Sequence, residues 1–243
     1  MRDISKYVDS YVEYIKEFEF YQVKYRRKMI LEWIKNYKPQ KILEIGCGME
    51  PLFRWVKDID FTIVEPGTDF CENAKKLAEA EKCKIRILQG FFEDMECNEE
   101  YDMIICSGLL HEVEKPSNLL KKIAATCTNN TIVHINVPNA MSMHRVLARE
   151  CGIIQDVTDM SEENQKLQQH SVYTLESLTA LSEKNGFSVL DKGSYFIKPF
   201  THLQMAKLLD HHIIDEKILD GFYGLIKYMP DLGSEIFINC KLR

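Results

Sequence analysis

The chain has 243 residues, with 31 Lys and Arg against 37 Asp and Glu and a formal net charge of -6. That length suits one sizeable α/β core, and an acidic balance with scattered basic residues argues against a nucleic-acid partner. No run is long and apolar enough to suggest a membrane span, and the charged start Met1-Arg2-Asp3-Ile4-Ser5-Lys6 is unlike a secretion signal. Eight cysteines with no C-x-x-C pair read as reduced, structural thiols of a cytoplasmic protein, not as disulfides or a zinc site.

From about Ile4 to Lys35 the spacing of Tyr7, Tyr11, Tyr14, Phe18, Tyr21 and Tyr25 predicts an aromatic-faced helical segment that Pro39 stops. Residues 1–38 are expected to act as a lid, closing over an occupied site. Lys41-Ile42-Leu43-Glu44-Ile45-Gly46-Cys47-Gly48 reads as a short buried strand breaking into a glycine turn. Phe61-Thr62-Ile63-Val64-Glu65 reads as a second strand ending in a carboxylate. Glycines let backbone N–H groups approach a ligand closely, and an acid at the tip of the next strand can accept both hydroxyls of a ribose. The third glycine of the dinucleotide fingerprint would fall where Pro51 stands, which argues against a pyrophosphate on the helix N-terminus and hence against a nicotinamide-dependent reductase.

Asp69 to Glu81 then predicts a helix, Lys84 to Leu88 a strand, Asp102 to Ser107 another, Ser117 to Thr126 a helix and Thr131 to Asn136 a fifth strand. Alternation of this kind implies a parallel sheet covered on both faces, with ligands outside the carboxyl ends of the strands. A long excursion, Val137 to Tyr173, precedes a helix from Leu175 to Asn185 that Gly186 caps. Phe187 to Leu190, Tyr195 to Ile197 and Ser234 to Leu242 look like strands, with a helical insert from Pro199 to Pro230. One domain is expected, residues 1–243: the lid 1–38, a core 41–197, the insert 199–230 and a closing strand 234–242.

Glu44-x-Gly46-x-Gly48 followed by the strand-end Glu65, with a helix-strand-strand finish, resembles the class I S-adenosylmethionine-dependent methyltransferases, in particular bacterial enzymes acting on small molecules. The resemblance covers residues 41–197 and the closing strand. It implies a doubly wound, mostly parallel seven-stranded sheet whose last strand is antiparallel, and S-adenosyl-L-methionine as cofactor. It also implies that Gly46 and Gly48 pass beneath the methionine moiety, Glu44 faces its ammonium, Glu65 holds the ribose and Pro66 edges the adenine slot. Gly90, Phe91 and Phe92 match the family's adenine loop, but aromatics stand where the family often has Asp, leaving the adenine amino group to Glu93 or Asp94. Ser107 and Gly108 match the stretch beside the methionine tail.

A hydroxyl acceptor must lose a proton, and His111, just past the fourth strand, is the expected general base. Tyr21, Asn139, His144, Arg145, His170 and Tyr173 are the candidates for holding the acceptor. His134 is expected in the core, and His202, His211 and His212 on a solvated face of the insert. No metal is expected. The leading function is O-methylation of a polar small metabolite, such as a sugar-, nucleotide- or phosphate-linked precursor of a capsule, antigen or secondary metabolite. N-methylation of an amino sugar or similar amine is the enzyme alternative, and a non-catalytic cofactor-binding module the alternative of another class. The expected partner is the small-molecule acceptor, with no nucleic acid or membrane, in a monomer or homodimer.

Overall fold

A computed structural model describes residues 18–97 and 99–243; Tyr7, Tyr11 and Tyr14 lie outside them. Short runs of apolar, largely β-branched residues form strands β1 (Lys41–Ile45), β2 (Asp60–Glu65), β3 (Ile85–Gln89), β4 (Met103–Ser107) and β5 (Ile132–Pro138). All but β3 are buried except at terminal residues, as central strands covered on both faces must be. With β6 (Phe187–Ile197) and β7 (Gly233–Leu242) they make one seven-stranded sheet of order β3-β2-β1-β4-β5-β7-β6. The first five run parallel, and β7 lies antiparallel to both β5 and β6.

The sequence suggests two strands where the structure has one. Phe187 to Ile197 is a single strand whose register against β7 shifts between Val189 and Asp191. A bulge of this kind breaks the apolar alternation, and at the edge of a sheet the polar stretch Asp191 to Ser194 can pair without being buried on both faces.

Helices cover both faces. On one side α1 (Phe20–Tyr37), α2 (Thr68–Glu81), α7 (His202–Asp210) and α8 (Glu216–Gly224) contribute Tyr25, Phe70, Met205 and Leu219 to a shared core. On the other, α3 (Pro116–Thr126) and α6 (Leu175–Lys184) contribute Leu119, Leu120, Ile123 and Leu178. Helices α4 (Met143–Glu150) and α5 (Glu162–Lys166) belong to the excursion after β5. As expected, α1 stops before Pro39, at Lys38 in the left-handed conformation (φ 51°).

The aromatic face of α1 is core. Phe18 and Tyr25 are fully buried, and the Tyr25 ring stacks on Phe196 at 4.3 Å and beside Tyr223 at 5.5 Å. Truncating such a ring typically costs about 3–5 kcal/mol. The polar residues beside those aromatics, Glu19, Gln22 and Arg26, instead form a wall at the carboxyl edge of the sheet.

Candidate active site

A cavity of about 690 Å³ runs along the carboxyl ends of β1, β2, β4 and β5. It straddles the junction of β1 with β4, where the strand order reverses, which is where doubly wound sheets bind ligands.

In its first half the chain leaves β1 through Gly46 and Gly48, both left-handed (φ 76° and 53°), a conformation that costs glycine little. The Gly46 N–H donates to the Val64 carbonyl at 2.9 Å, which ties the turn to β2. Glu65 accepts the N–H groups of Cys47 (3.0 Å) and Gly67 (2.7 Å), and these bonds hold its carboxylate at the cavity edge. Glu44 is buried and accepts the Leu52 N–H at 3.1 Å. Burial pushes its carboxyl up to about 8, against the pull of that N–H and with the added push of the Glu65 charge. Pro66, Phe91, Phe92, Glu93 and Asp94 continue the wall. Phe92 is also a core residue, and Gly90 stands behind the wall with its N–H on the Glu65 carbonyl at 3.0 Å.

Ser107 and Gly108 line the cavity beyond β4, and Arg26 lies against them from α1. The Arg26 Nε donates to both oxygens of Glu235 (3.1 and 2.9 Å), and Nη2 donates to Glu235 and to Glu19 (3.3 Å). Burial works against the charged guanidinium, but Glu235 and Glu19 more than offset it and keep Arg26 protonated. The remaining nitrogen, Nη1, packs on Gly108, where a Cβ would lie 3.3 Å from it. A carboxylate held by backbone N–H groups, a buried carboxyl and a cationic fork thus surround one space. These groups fit a ligand carrying hydroxyls, an ammonium and a carboxylate, which is the polar equipment of S-adenosylmethionine.

The second half holds the other candidates. His111 is buried in the wall with Nε2 3.8 Å from Glu112 Oε1. Its carbonyl accepts the N–H groups of His170 (2.8 Å) and Ser171 (3.1 Å), fastening the excursion over the site. Asn139 lines the cavity while its amide bridges the carbonyls of Asp231 (3.0 Å) and Gly233 (2.8 Å). Arg145 also lines it, with Nε on the Val157 carbonyl at 2.7 Å and Nη2 on that of Asp159, so its guanidinium holds the excursion. His144 faces the same space. Three expected contacts stand outside the wall. Tyr21 packs on the rings of Phe18 and Phe20, His170 is exposed, and Tyr173 is part of the core.

His134 is a core residue as expected, with Nδ1 2.7 Å from Asn239 Oδ1, and burial brings it down to about 4. His202 overturns its expectation. Instead of facing solvent it points Nε2 at Glu19 (3.0 Å) and Nδ1 at the Lys198 ammonium (2.8 Å). Both His202 and the buried Lys198 line the cavity. The network continues through Glu235, which takes Gln22 (3.1 Å), Asn136 (3.1 Å) and the Tyr195 hydroxyl. Sequence reasoning passed over Glu19, Arg26, Lys198 and Glu235. The one local signal was the three-to-four-residue spacing of Glu19, Gln22, Val23 and Arg26, a single helix face beside the aromatic stripe.

Residues 16–192 match the family of methyltransferase domains. Over 111 residues the chain is 26% identical to a ubiquinone biosynthesis O-methyltransferase from Rickettsia canadensis, a match spanning 44% of this chain and 46% of that enzyme. A solved S-adenosylmethionine-dependent methyltransferase from Clostridium acetobutylicum superposes with a TM-score of 0.57 at 10% identity, over 99% of this chain and 92% of its own. A putative sarcosine dimethylglycine methyltransferase from Galdieria sulphuraria gives 0.61 at 11% identity, over 88% and 84%. Among the described residues no helix is long and apolar enough to cross a membrane. The family match over most of the chain, on a sheet of this strand order with a glycine turn facing Glu65, makes the chain a member of the S-adenosylmethionine-dependent methyltransferase domain family.

Proposed function

We propose that this chain, acting as one domain, transfers a methyl group to a hydroxyl of a polar small metabolite, a sugar-, nucleotide- or phosphate-linked precursor of a capsule, antigen or secondary metabolite. Bound cofactor supplies an electrophilic methyl group on a sulfonium. Glu65 would hold the ribose hydroxyls, Glu44 the ammonium and Arg26 the carboxylate, with Phe91 against the adenine. His111 takes the hydroxyl proton, and Glu112 beside it favours the imidazolium that results.

The observation that carries this reading is His111, a buried imidazole on the wall of the same cavity that Glu44, the glycine turn and Glu65 line. The Rickettsia relative, named for O-methylation, supports the same atom class. Continuation of the cavity past Gly108 to His144 and Lys198 favours turnover over a module that only holds cofactor. Glu112 and Glu114 on the same wall favour, as a second reading, an amine acceptor. Incubation with methyl-labelled cofactor and a panel of sugars, sugar phosphates, hydroxy acids and amines tests the proposal. Label on oxygen, with stoichiometric S-adenosylhomocysteine, is the expected result. Label on nitrogen would favour the second reading, and no transfer to any acceptor would leave the holding module as the better account.

A further inference from the structure

Four residues of the excursion after β5, Ser161, Asn164, Leu167 and Gln169, stand on the cavity wall, so the stretch around α5 encloses part of the site. This wall is fixed to the molecule differently from the others. Among the described side chains from Gly152 to Gln168, Val157 alone is buried, and Ile153 is 76% exposed. A segment with so little buried apolar surface opens locally at a far lower free energy than the buried strands do.

Its own hydrogen bonds keep its shape. The Asp159 carboxylate accepts the N–H groups of Gln155 (3.0 Å) and Asp156 (2.9 Å). Asn164 accepts the N–H (2.8 Å) and hydroxyl (2.7 Å) of Ser161 and donates to Gln169. The stretch can therefore lift as one small body. Its two ends are sharp reversals, Gly152 after α4 (φ 70°) and Gln168 after α5 (φ 53°), both left-handed. Hinges are residues of this kind, a few positions at the ends of elements. Just beyond Gln168 the chain is tied down again, by the N–H groups of His170 and Ser171 on the His111 carbonyl.

Arg145 grips the middle of this body. From the first turn of α4 its Nε donates to the Val157 carbonyl at 2.7 Å and its Nη2 to that of Asp159, so one planar fork spans two carbonyls of the excursion. Bonds from a charged donor are strong. These are also reversible, because Arg145 is only half-buried and water can replace the carbonyls without stranding a buried charge. We propose that residues 153–168 form a flap that lifts to admit the methyl acceptor, and that Arg145 is the positioning residue that latches it down. The identity of what is admitted rests on the methyltransferase reading; the movement rests on the bonding of the excursion itself.

The test needs neither cofactor nor acceptor. Amide hydrogen exchange of the wild type, read by mass spectrometry, should run at least about a hundredfold faster in 153–168 than in β1, β4 and β5. Carbethoxylation of His111 by diethyl pyrocarbonate at neutral pH then reports access to the cavity, with the exposed His211 and His212 as internal standards. Arg145→Met should raise flap exchange and His111 modification together, by about tenfold or more, with strand exchange unchanged. If the strands of that variant also exchange faster, its fold is loosened and Val157→Ala is read instead. That change loosens the buried anchor of the flap, leaves Arg145 in place and should raise the same two rates together. Faster flap exchange with His111 modified at the wild-type rate would make the segment a loop that guards nothing, and unchanged flap exchange would mean that nothing is latched. Either result overturns the proposal. Failure of the wild type to bind S-adenosylhomocysteine, seen in a separate titration, would instead overturn the methyltransferase reading and leave the flap result standing.

Discussion

The two halves of the cavity are built in different ways. The proposed cofactor half comes from strand ends and the turns that leave them, so Glu44, Gly46, Gly48 and Glu65 sit within about two dozen residues and bond to nearby backbone. The proposed acceptor half comes from α1, the turn after β4, the excursion after β5 and the residues flanking the helical insert. Its key bonds join residues about two hundred positions apart, as Arg26 does with Glu235 and His202 with Glu19. The first half is a rigid socket that local sequence specifies. The second is a charge network that exists only once the whole chain is folded, and it is where this chain is free to differ from others with the same sheet.

If that division is right, substitutions on either side should separate cleanly in what they change. The largest effect is expected at His111. His111→Ala should lower turnover by a factor of about 10² to 10⁴ and leave the cofactor Kd within about twofold, as read from kcat beside a calorimetric titration. A variant keeping more than half of the wild-type rate would make His111 structural and pass the base to another group on the wall.

Arg26 joins the halves, so its removal should be felt in both. Arg26→Ala leaves Glu235 buried without its cation, a loss of about 3–5 kcal/mol, and cofactor affinity should fall with it. The double variant Arg26→Met, Glu235→Gln should recover part of the stability in denaturant melts but not the affinity. Recovery of both would remove Arg26 from the cofactor site.

Glu65→Ala should confine its effect to the first half, with cofactor affinity falling at least about tenfold for charge-assisted bonds of roughly 1.5–3 kcal/mol each. An unchanged Kd would mean the ribose sits elsewhere. The smallest effect is one of pH. The Glu44 carboxyl is raised to about 8 in the free protein, and an ammonium beside it favours the ionised form, lowering that value in the complex. Binding near pH 7 should therefore release a proton, and affinity should rise from pH 6 toward pH 8 by at most about tenfold per unit. Heats measured in buffers of different ionisation enthalpy read this release, and Glu44→Gln should abolish it.

The same division explains what could be read from the sequence. The strands and covering helices were legible because buried strands are continuous apolar runs and helices carry a 3.6-residue period. The edge strand β6 was not, because its bulge at Leu190 and its polar middle broke the pattern. The glycine turn and Glu65 were legible because a left-handed turn after β1 demands glycine and a strand-end carboxylate stands at a fixed spacing from it. His202 and Lys198 were not: nothing in the local sequence says that a histidine near the start of the insert will meet Glu19 on the first described helix. The aromatics at the start of α1 gave a correct helix but not the site, since Phe18 and Tyr25 fill the core while Arg26, next to Tyr25, reaches the cavity.

The account stands most directly on what the first half of the cavity binds. Calorimetric titration of the chain with S-adenosylmethionine, S-adenosylhomocysteine and NAD, each separately, should show one saturable site for the first two and no heat for NAD, because Pro51 stands where a pyrophosphate seat would need glycine. Saturable NAD binding without a response to S-adenosylhomocysteine would contradict it.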